Sequence, residues 1–360
     1  MKCNRYTLSD LATIKYGKNQ KKVASDTGNI PIFGTGGLMG FATTALYDKP
    51  SVLIGRKGTI GKVKYVEQPF WTVDTLFYTI VNTNLVIPKY LYYIMSLIDL
   101  NSYNEGTTIP SLRTETLNRL EFDIPSLEEQ KKILSCLNPI DEKIELNDAI
   151  NNNLEQQAKA IFKSWFIDFE PFNNKQPDNW TISTLGTVSV MSAGGDKPKN
   201  VSQTKTDIFQ YPIYSNGLSD EGLYGFTDKP KIIEESVTVS ARGTIGFVCL
   251  RHIPYVPIVR LVTLVPKSEI LSAKYLYLYL KQLHITGTGT TQQQLTVPDF
   301  QKTEILVPTQ EIMSKFTDIL EPIFNKLWTN QVENEKLSSL RDTLLPKLMS
   351  GELDVSDIDL

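Results

Sequence analysis

Gly58-Thr59-Ile60-Gly61 returns unchanged as Gly243-Thr244-Ile245-Gly246, one of six echoes that keep their order along the chain. Tyr6-Thr7-Leu8-Ser9 is matched by Trp180-Thr181-Ile182-Ser183, Pro31-Ile32-Phe33 by Pro212-Ile213-Tyr214, and Asp48-Lys49-Pro50 by Asp228-Lys229-Pro230. Lys89-Tyr90-Leu91-Tyr92 returns as Lys274-Tyr275-Leu276-Tyr277, and Gly106-Thr107-Thr108 as Gly289-Thr290-Thr291. The offset drifts only between 174 and 185 residues, as small loop insertions would cause. One matching tetrapeptide carries little weight, but six in order mean duplication. The chain reads as two copies of one module, joined by the polar stretch Asn173-Asn174-Lys175-Gln176-Pro177-Asp178-Asn179.

Each copy opens with short β-branched and aromatic runs broken by Gly and Pro, such as Ser51-Val52-Leu53-Ile54 and Ser236-Val237-Thr238-Val239, which predict strands. The Lys-Tyr-Leu-Tyr runs predict the start of a helix that is apolar all round, so each copy holds a mixed α/β domain. After Pro125 and Pro308 the pattern changes to a heptad seam. Ile133, Leu137, Ile140, Ile144, Asn147, Asn151, Leu154, Ala158, Ile161 and Trp165 alternate in steps of four and three. At a constant offset of 183 lie Phe316, Leu320, Ile323, Leu327, Asn330, Asn334, Leu337, Arg341, Leu344 and Leu348. Such stripes suit two long helices crossing at a small angle, with the central Asn residues fixing register. The connectivity favours an antiparallel pair related by a pseudo-twofold. Ser126 to Phe166 as a helix would span roughly 60 Å at ~1.5 Å per residue. Pro139 and Pro322, at equivalent positions, should kink each helix or start its main section. The seam keeps phase across both, which favours a kink. The predicted fold is therefore α+β, with domains over 1–125 and 173–308 and helical spacers over 126–172 and 309–360.

The 360 residues suffice for two ordinary domains, and 41% apolar with 21% charged residues fits a globular chain. No apolar run approaches the ~20 residues of a membrane helix, and no signal-like core follows Met1-Lys2-Cys3-Asn4-Arg5, so a cytoplasmic location is expected. Cys3, Cys136 and Cys249 lack CxxC spacing, and His252 and His284 are the only histidines, so no cysteine or multi-histidine metal site is expected. The net charge of −3 conceals a segregation. Residues 1–125 carry 14 Lys and Arg against 10 Asp and Glu, and residues 173–308 carry 13 against 11. The spacers are acidic, with 5 against 9 over 126–172 and 5 against 10 over 309–360. Mildly basic domains thus alternate with acidic helices, which permits a polyanion on the first and a protein partner on the second.

The glycine-rich segments do not make nucleotide sites. Gly55-Arg56-Lys57-Gly58-Thr59-Ile60-Gly61-Lys62-Val63 has one residue too many between its outer glycines for a phosphate-binding loop, and Val63 stands where Ser or Thr should bind Mg²⁺. Gly34-Thr35-Gly36-Gly37-Leu38-Met39-Gly40 has Met39 at the last glycine position of a dinucleotide fingerprint. These segments predict turns with glycines at positive φ. No Asp/Asn-Pro-Pro-aromatic segment is present, and no nucleophile, base and orienting group can be nominated, so no catalytic residue is expected. His252 and His284 read as surface or half-buried residues.

The basic loops point elsewhere. Lys18, Lys21 and Lys22 lie in an early loop, and Arg56, Lys57, Thr59, Lys62 and Lys64 surround the first Gly-Thr-Ile-Gly turn. Copy two offers Lys197, Lys199 and Lys205 in its early loop and Arg242 and Thr244 at its turn. A second repeated loop carries Thr107, Thr108 and Arg113 in copy one and Thr290, Thr291, Gln292 and Gln293 in copy two. Arg, Lys and turn N–H groups suit phosphates and guanine edges, and Gln suits adenine in the major groove. These residues are the candidate DNA contacts. Asn147, Asn151, Leu154, Asn330, Asn334 and Leu337 are the centre of the helix-pair seam.

The whole organisation resembles the DNA-specificity subunit of a Type I restriction–modification system. The resemblance rests on two domains each followed by a long helix, and on the helix ends Leu154-Glu155-Gln156-Gln157-Ala158-Lys159-Ala160-Ile161-Phe162-Lys163-Ser164-Trp165-Phe166 and Leu340-Arg341-Asp342-Thr343-Leu344-Leu345-Pro346-Lys347-Leu348-Met349-Ser350-Gly351-Glu352-Leu353. The junction from Ile124-Pro125 to Glu129-Gln130 is also similar to the family pattern, whereas Gln310-Glu311-Ile312-Met313 departs from it. The resemblance implies a non-catalytic subunit with two target-recognition domains, each reading one half of a bipartite, asymmetric site in double-stranded DNA. Two modification subunits would bring S-adenosylmethionine and methylate adenine N6, and a restriction subunit using ATP and Mg²⁺ could join them. An adaptor whose helices scaffold partner proteins is the alternative from another class. A self-contained enzyme would need a motif that is missing here.

Overall fold

The computed structural model describes residues 2–287, 294–355 and 358. They form two compact units, unit 1 (Met1–Asn147 with Val332–Leu360) and unit 2 (Asp148–Gln331).

In unit 1 a four-stranded antiparallel sheet has the order Ala12–Tyr16, Leu76–Val81, Ser51–Gly55, Val63–Val66. A three-stranded sheet has the order Gly37–Ala42, Ile30–Gly34, Trp71–Thr72, its last pair parallel. A two-stranded ribbon joins Cys3–Thr7 to Glu121–Pro125. Unit 2 repeats all three. Its four-stranded sheet runs Ser189–Ala193, Leu261–Pro266, Ser236–Ser240, Val248–Arg251, its three-stranded sheet Leu223–Thr227, Tyr211–Tyr214, Val256–Pro257, and its ribbon Thr181–Thr184 with Glu304–Val307.

The ladders correct two of the echoes. Ser51 pairs with Val66 and Ser236 with Arg251, so residues of these strands correspond at an offset of 185. Asp48-Lys49-Pro50 leads into the first of these strands, whereas Asp228-Lys229-Pro230 follows strand Leu223–Thr227 and stands five residues out of that register. Thr7 pairs with Glu121 and Thr184 with Glu304, and each precedes a four-residue helix. Thr7 therefore corresponds to Thr184, and the Tyr6-Thr7-Leu8-Ser9 echo is three residues out. The Pro-Ile-aromatic, Gly-Thr-Ile-Gly and Lys-Tyr-Leu-Tyr echoes are in register. Gly289-Thr290-Thr291 lies outside the described residues.

The Lys-Tyr-Leu-Tyr runs are helical, as Pro88–Ser96 and Ala273–Gln282. Helix Pro88–Ser96 packs Tyr90, Leu91, Tyr93, Ile94 and Met95 into the core cluster that contains Val52 and Ile54. Its first residue is a proline, which costs nothing where the N–H has no helical partner.

The long helices are Leu127–Phe166 and Gln310–Ser350. The first is continuous through Pro139, so that proline interrupts the hydrogen-bond ladder without starting the helix. None of the twenty seam residues is exposed. Within unit 1, Arg341 Nη1 donates to Asp141 Oδ1 at 3.2 Å and Asn147 Nδ2 to Asn334 Oδ1 at 2.9 Å. One number rises as the other falls, so the helices are antiparallel there. Within unit 2, Asn330 Nδ2 donates to Asn151 Oδ1 at 2.9 Å and the rings of Phe162 and Phe316 lie 6.2 Å apart, the same sense.

Each domain sits on a long helix through buried polar contacts. Ser126 and Glu129 form a reciprocal N-terminal cap, with Ser126 N–H donating to Glu129 Oε2 at 3.1 Å and Glu129 N–H to Ser126 Oγ at 3.3 Å. One turn on, fully buried Gln130 accepts from Ile87 N–H at 2.8 Å and donates to Leu85 O at 2.9 Å and Pro125 O at 3.0 Å. Met313 holds the equivalent place in unit 2, buried, with Ser272 Oγ 3.8 Å from its sulfur. Ser272 caps its helix with its own hydroxyl, accepting from Tyr275 N–H at 3.3 Å, which Ile87 cannot do. The repeated lysine completes both junctions. Lys89 Nζ is 3.7 Å from Asp141, and Lys274, only 3% exposed, is 2.9 Å from Glu235 and 2.8 Å from Glu321 and lies over Trp328.

Removing Lys274 leaves two carboxylates facing each other. Because both retain access to water, Lys274→Met is expected to cost about 1–3 kcal/mol, less than a fully buried pair. Lys89→Met is expected to cost less, because Asp141 keeps Arg341 and the Tyr93 hydroxyl, 2.5 Å away. Hydrogen exchange of helix Ala273–Gln282 and helix Pro88–Ser96 measures the two units separately.

His252 stacks on Trp328 with ring centroids 4.0 Å apart. His252 is exposed overall, but partial desolvation of its ring, with the Lys274 and Arg251 charges adding to it, holds its pKa down to about 4, against ~6.5 in an unfolded chain. The unfolded chain therefore binds the extra proton first. The contribution of the neutral ring is complete above pH ~6.5 and is lost as the pH falls towards 4. The protection factor of strand Val248–Arg251, its exchange relative to the intrinsic rate at each pH, is expected to fall over that window in the wild type and to change less in His252→Phe.

Candidate nucleic-acid interface

The loops of Lys18 and of Arg56 and Lys57 meet in unit 1 at one turn, Val73-Asp74-Thr75-Leu76, closed by Leu76 N–H donating to Val73 O at 3.0 Å. Arg56 N–H and Lys57 N–H both donate to Thr75 O, at 2.9 and 3.2 Å, and Lys18 N–H donates to Thr72 O at 2.8 Å. Trp71 Nε1 donates to Lys18 O at 2.9 Å. The Gly-Thr-Ile-Gly turn is joined in turn to the second repeated loop, through Gly58 N–H to Pro110 O at 2.9 Å and Leu112 N–H to Arg56 O at 3.0 Å. Three loops far apart in sequence thus share one end of the domain.

These residues divide by what their side chains do. Lys18, Lys21, Lys22, Lys57, Thr59, Lys62, Thr107 and Thr108 are exposed. Arg56 is half-buried and works as a clamp, its Nη1 donating to Asp74 O at 2.8 Å and its guanidinium lying over Tyr16. Arg113 is exposed but is paired with Glu105 at 3.1 Å. Lys64 lies 4.2 Å over the Phe33 ring, and burial lowers its pKa. On the neighbouring strand Gly37–Ala42, Leu38 and Met39 are 57% and 58% exposed.

Unit 2 builds the same end from different residues. Ala241 N–H donates to Arg260 O at 2.8 Å and Leu295 N–H to Ala241 O at 2.8 Å, reproducing the contacts of Arg56. Arg242 thus takes the place of Lys57, and a buried Ala241 that of Arg56. Gly194 N–H donates to Leu261 O at 2.8 Å, which brings the loop of exposed Lys197 and Lys199 to the same end. Lys197 Nζ is 3.3 Å from the Tyr224 hydroxyl. Thr244 is half-buried, and its hydroxyl donates to Asn216 O at 2.5 Å, while Asn216 Nδ2 donates to Arg242 O at 2.7 Å. Thr244 therefore ties two loops together. Thr290, Thr291, Gln292 and Gln293 lie outside the described residues.

The main loop difference is at the hairpin tip. Strands Ile30–Gly34 and Gly37–Ala42 are joined by Thr35-Gly36, whereas residues 215–222 join strands Tyr211–Tyr214 and Leu223–Thr227. Asp220 and Glu221 in that longer tip have φ of 49° and 52°. They are held by Arg251, 3% exposed, whose Nη1 donates to Glu221 Oε2 at 3.0 Å and Nη2 to Glu221 O at 2.7 Å. The sequence reading missed Asn216, Glu221, Arg251 and Arg260. Ile258-Val259-Arg260-Leu261 looks like a continuing strand, and only alignment on Val73-Asp74-Thr75-Leu76 reveals a turn.

The Gly-Thr-Ile-Gly turns behave as predicted at Gly58, Gly243 and Gly246, with φ of 85°, 78° and 81°. Gly61 is not in the left-handed region; a Cβ there would lie 2.3 Å from the Asn101 amide nitrogen. Among the described residues no three His, Cys, Asp or Glu side chains form a metal site, and no helix is long and apolar enough to cross a membrane.

Two structurally equivalent domains, each presenting cationic loops at one end and each seated on a long helix, define a duplicated recognition protein. The family model of the Type I restriction modification DNA specificity domain matches twice, over residues 2–156 and 177–339. The chain belongs to that family. It is 28% identical to the Type I restriction enzyme MjaIX specificity subunit of Methanocaldococcus jannaschii, covering 87% of this chain and 80% of the relative. It is 27% identical to the HindI specificity subunit of Haemophilus influenzae, covering 79% and 81%. The fold is similar to that of the S subunit of a Type I system from M. genitalium, with a TM-score of 0.58, 19% identity and coverage of 97% and 96%. The chain is a specificity subunit and not itself an enzyme.

Gly58→Val places a branched side chain at a φ of 85°. It is expected to loosen both loops at once, read as faster exchange of the Leu112 amide with little change in helix Pro88–Ser96.

Proposed function

We propose that each domain reads one half of a bipartite, asymmetric site in double-stranded DNA. The reading is carried by the equivalent loop ends, which expose Lys18, Lys21, Lys22, Lys57 and Lys62 in unit 1 and Lys197 and Lys199, with half-buried Arg242, in unit 2. Phosphate contacts from such cations position a protein on a duplex, and base edges supply the sequence code. The two ends differ in tip length and in the residues at the Gly-Thr-Ile-Gly turn, so their half-sites differ; identical ends would read a palindrome. The acidic long helices space the domains and dock two modification subunits, which carry S-adenosylmethionine and methylate adenine N6. Where the system restricts, a restriction subunit using ATP and Mg²⁺ joins the complex, which acts in the cytoplasm.

Methylome sequencing of the source cell with and without this gene tests the reading. Loss of N6-methyladenine from one split, asymmetric motif is expected. The complex with its methyltransferase subunits is also expected to bind duplex DNA with an affinity that falls steeply as salt rises. An unchanged methylome together with salt-insensitive binding would favour an adaptor instead.

A further inference from the structure

Arg260 is the third residue of the turn Ile258-Val259-Arg260-Leu261, closed by Leu261 N–H donating to Ile258 O at 3.3 Å. Its φ of 76° lies in the left-handed region, where an L side chain crowds its own backbone and Gly or Asn is the usual occupant. Thr75, the equivalent residue in unit 1, is not left-handed, so this fold does not demand the conformation. Burial does not repay it, because Arg260 is exposed. Nor does a contact, since its guanidinium has no hydrogen-bond, ion-pair or aromatic partner among the described residues.

Its place is specific. Arg260 O accepts from Ala241 N–H, next to Arg242, while Gly194 N–H donates to Leu261 O and Gly195 N–H to Pro257 O, at 2.8 and 3.2 Å. Arg260 therefore stands between the loop of Lys197 and Lys199 and the turn of Arg242. Strained residues persist where a binding site requires them, and a free guanidinium offers paired N–H donors that match a phosphate. We infer that Arg260 binds a backbone phosphate of the half-site read by unit 2, an assignment that rests on the DNA-reading role proposed above.

The test uses the full chain with its methyltransferase subunits and a duplex carrying the methylated motif, comparing wild type, Arg260→Gly and Arg260→Lys. Arg260→Gly removes strain and charge together, so its melting temperature is expected to equal or exceed that of the wild type. Its affinity is expected to fall several-fold, its salt slope to drop by about one, and its methylated motif to stay the same. Arg260→Lys should keep the slope. Unchanged affinity and slope in Arg260→Gly, a lower melting temperature, or a motif relaxed at one base would each overturn the phosphate assignment. A wild-type complex that binds no duplex in a salt-dependent way would sink the DNA-reading role itself, whatever the variants do.

Discussion

Each domain core is closed by the end of a helix that belongs to the other repeat, and the rest of the structure depends on that exchange. The first long helix follows the domain of copy one, yet its Ala158, Phe162 and Phe166 are buried in unit 2 with Tyr275, Phe316 and Leu320. The second follows the domain of copy two, yet its Leu345 and Leu348 are buried in unit 1 with Ile133, Leu137 and Tyr90. Burying a side chain of this size contributes about 1.5–3 kcal/mol, so neither module completes its core from its own residues. The exchange also requires the two helices to run in opposite directions within each unit. A seam of apolar residues alone tolerates slippage by whole heptads. Asn147 donates to Asn334 and Asn330 to Asn151 in one register only, at the cost of a buried carbonyl oxygen on Asn147 and on Asn330 with no partner among the described residues.

Duplication preserved the docking problem at the head of each long helix while changing its chemistry. In unit 1 a glutamine satisfies three backbone groups, because Ile87 leaves its helix start uncapped. In unit 2 Ser272 caps that start itself, which frees the glutamine's place for the apolar Met313. The departure at Gln310-Glu311-Ile312-Met313 is thus compensated locally. The lysine that opens each Lys-Tyr-Leu-Tyr run stays because it serves both junctions, meeting a carboxylate on a long helix at Asp141 or Glu321.

Much of this was legible in the sequence, for a physical reason. Heptad spacing follows directly from helix geometry, and all twenty positions read from it are buried or half-buried. The repeated aromatic helices are equally plain, since helices apolar all round must sit in a core. Register was harder. Short echoes such as Asp-Lys-Pro recur by chance because turns draw on few residue types, and only the ladder pairings show that this one and the Tyr6 echo are displaced. At the loop ends the sequence located the cations but not their employment. Composition cannot show that Arg56 is spent on Asp74 O, Arg113 on Glu105 or Thr244 on Asn216 O, because these pairings are set by how the loops fold and not by which residues they contain.

The contrast between scaffold and loops separates what the two copies share from what sets them apart. The sheets, the aromatic helix and the long-helix junction correspond strand for strand, and the drift in offset arises in the loops between them. The longer tip of unit 2 is not left loose. Buried Arg251 reaches from the sheet edge to hold Glu221 and lies 3.6 Å from the Tyr214 ring, so a tip with two left-handed residues is fixed from beneath by the core. The corresponding residue in unit 1 is Val66, buried among Phe33, Leu53 and Phe70, where a two-residue tip needs no such support. A change of loop is therefore accompanied by a change at one core position below it. The loop ends can diverge in this way without disturbing the exchanged helix ends that close each core.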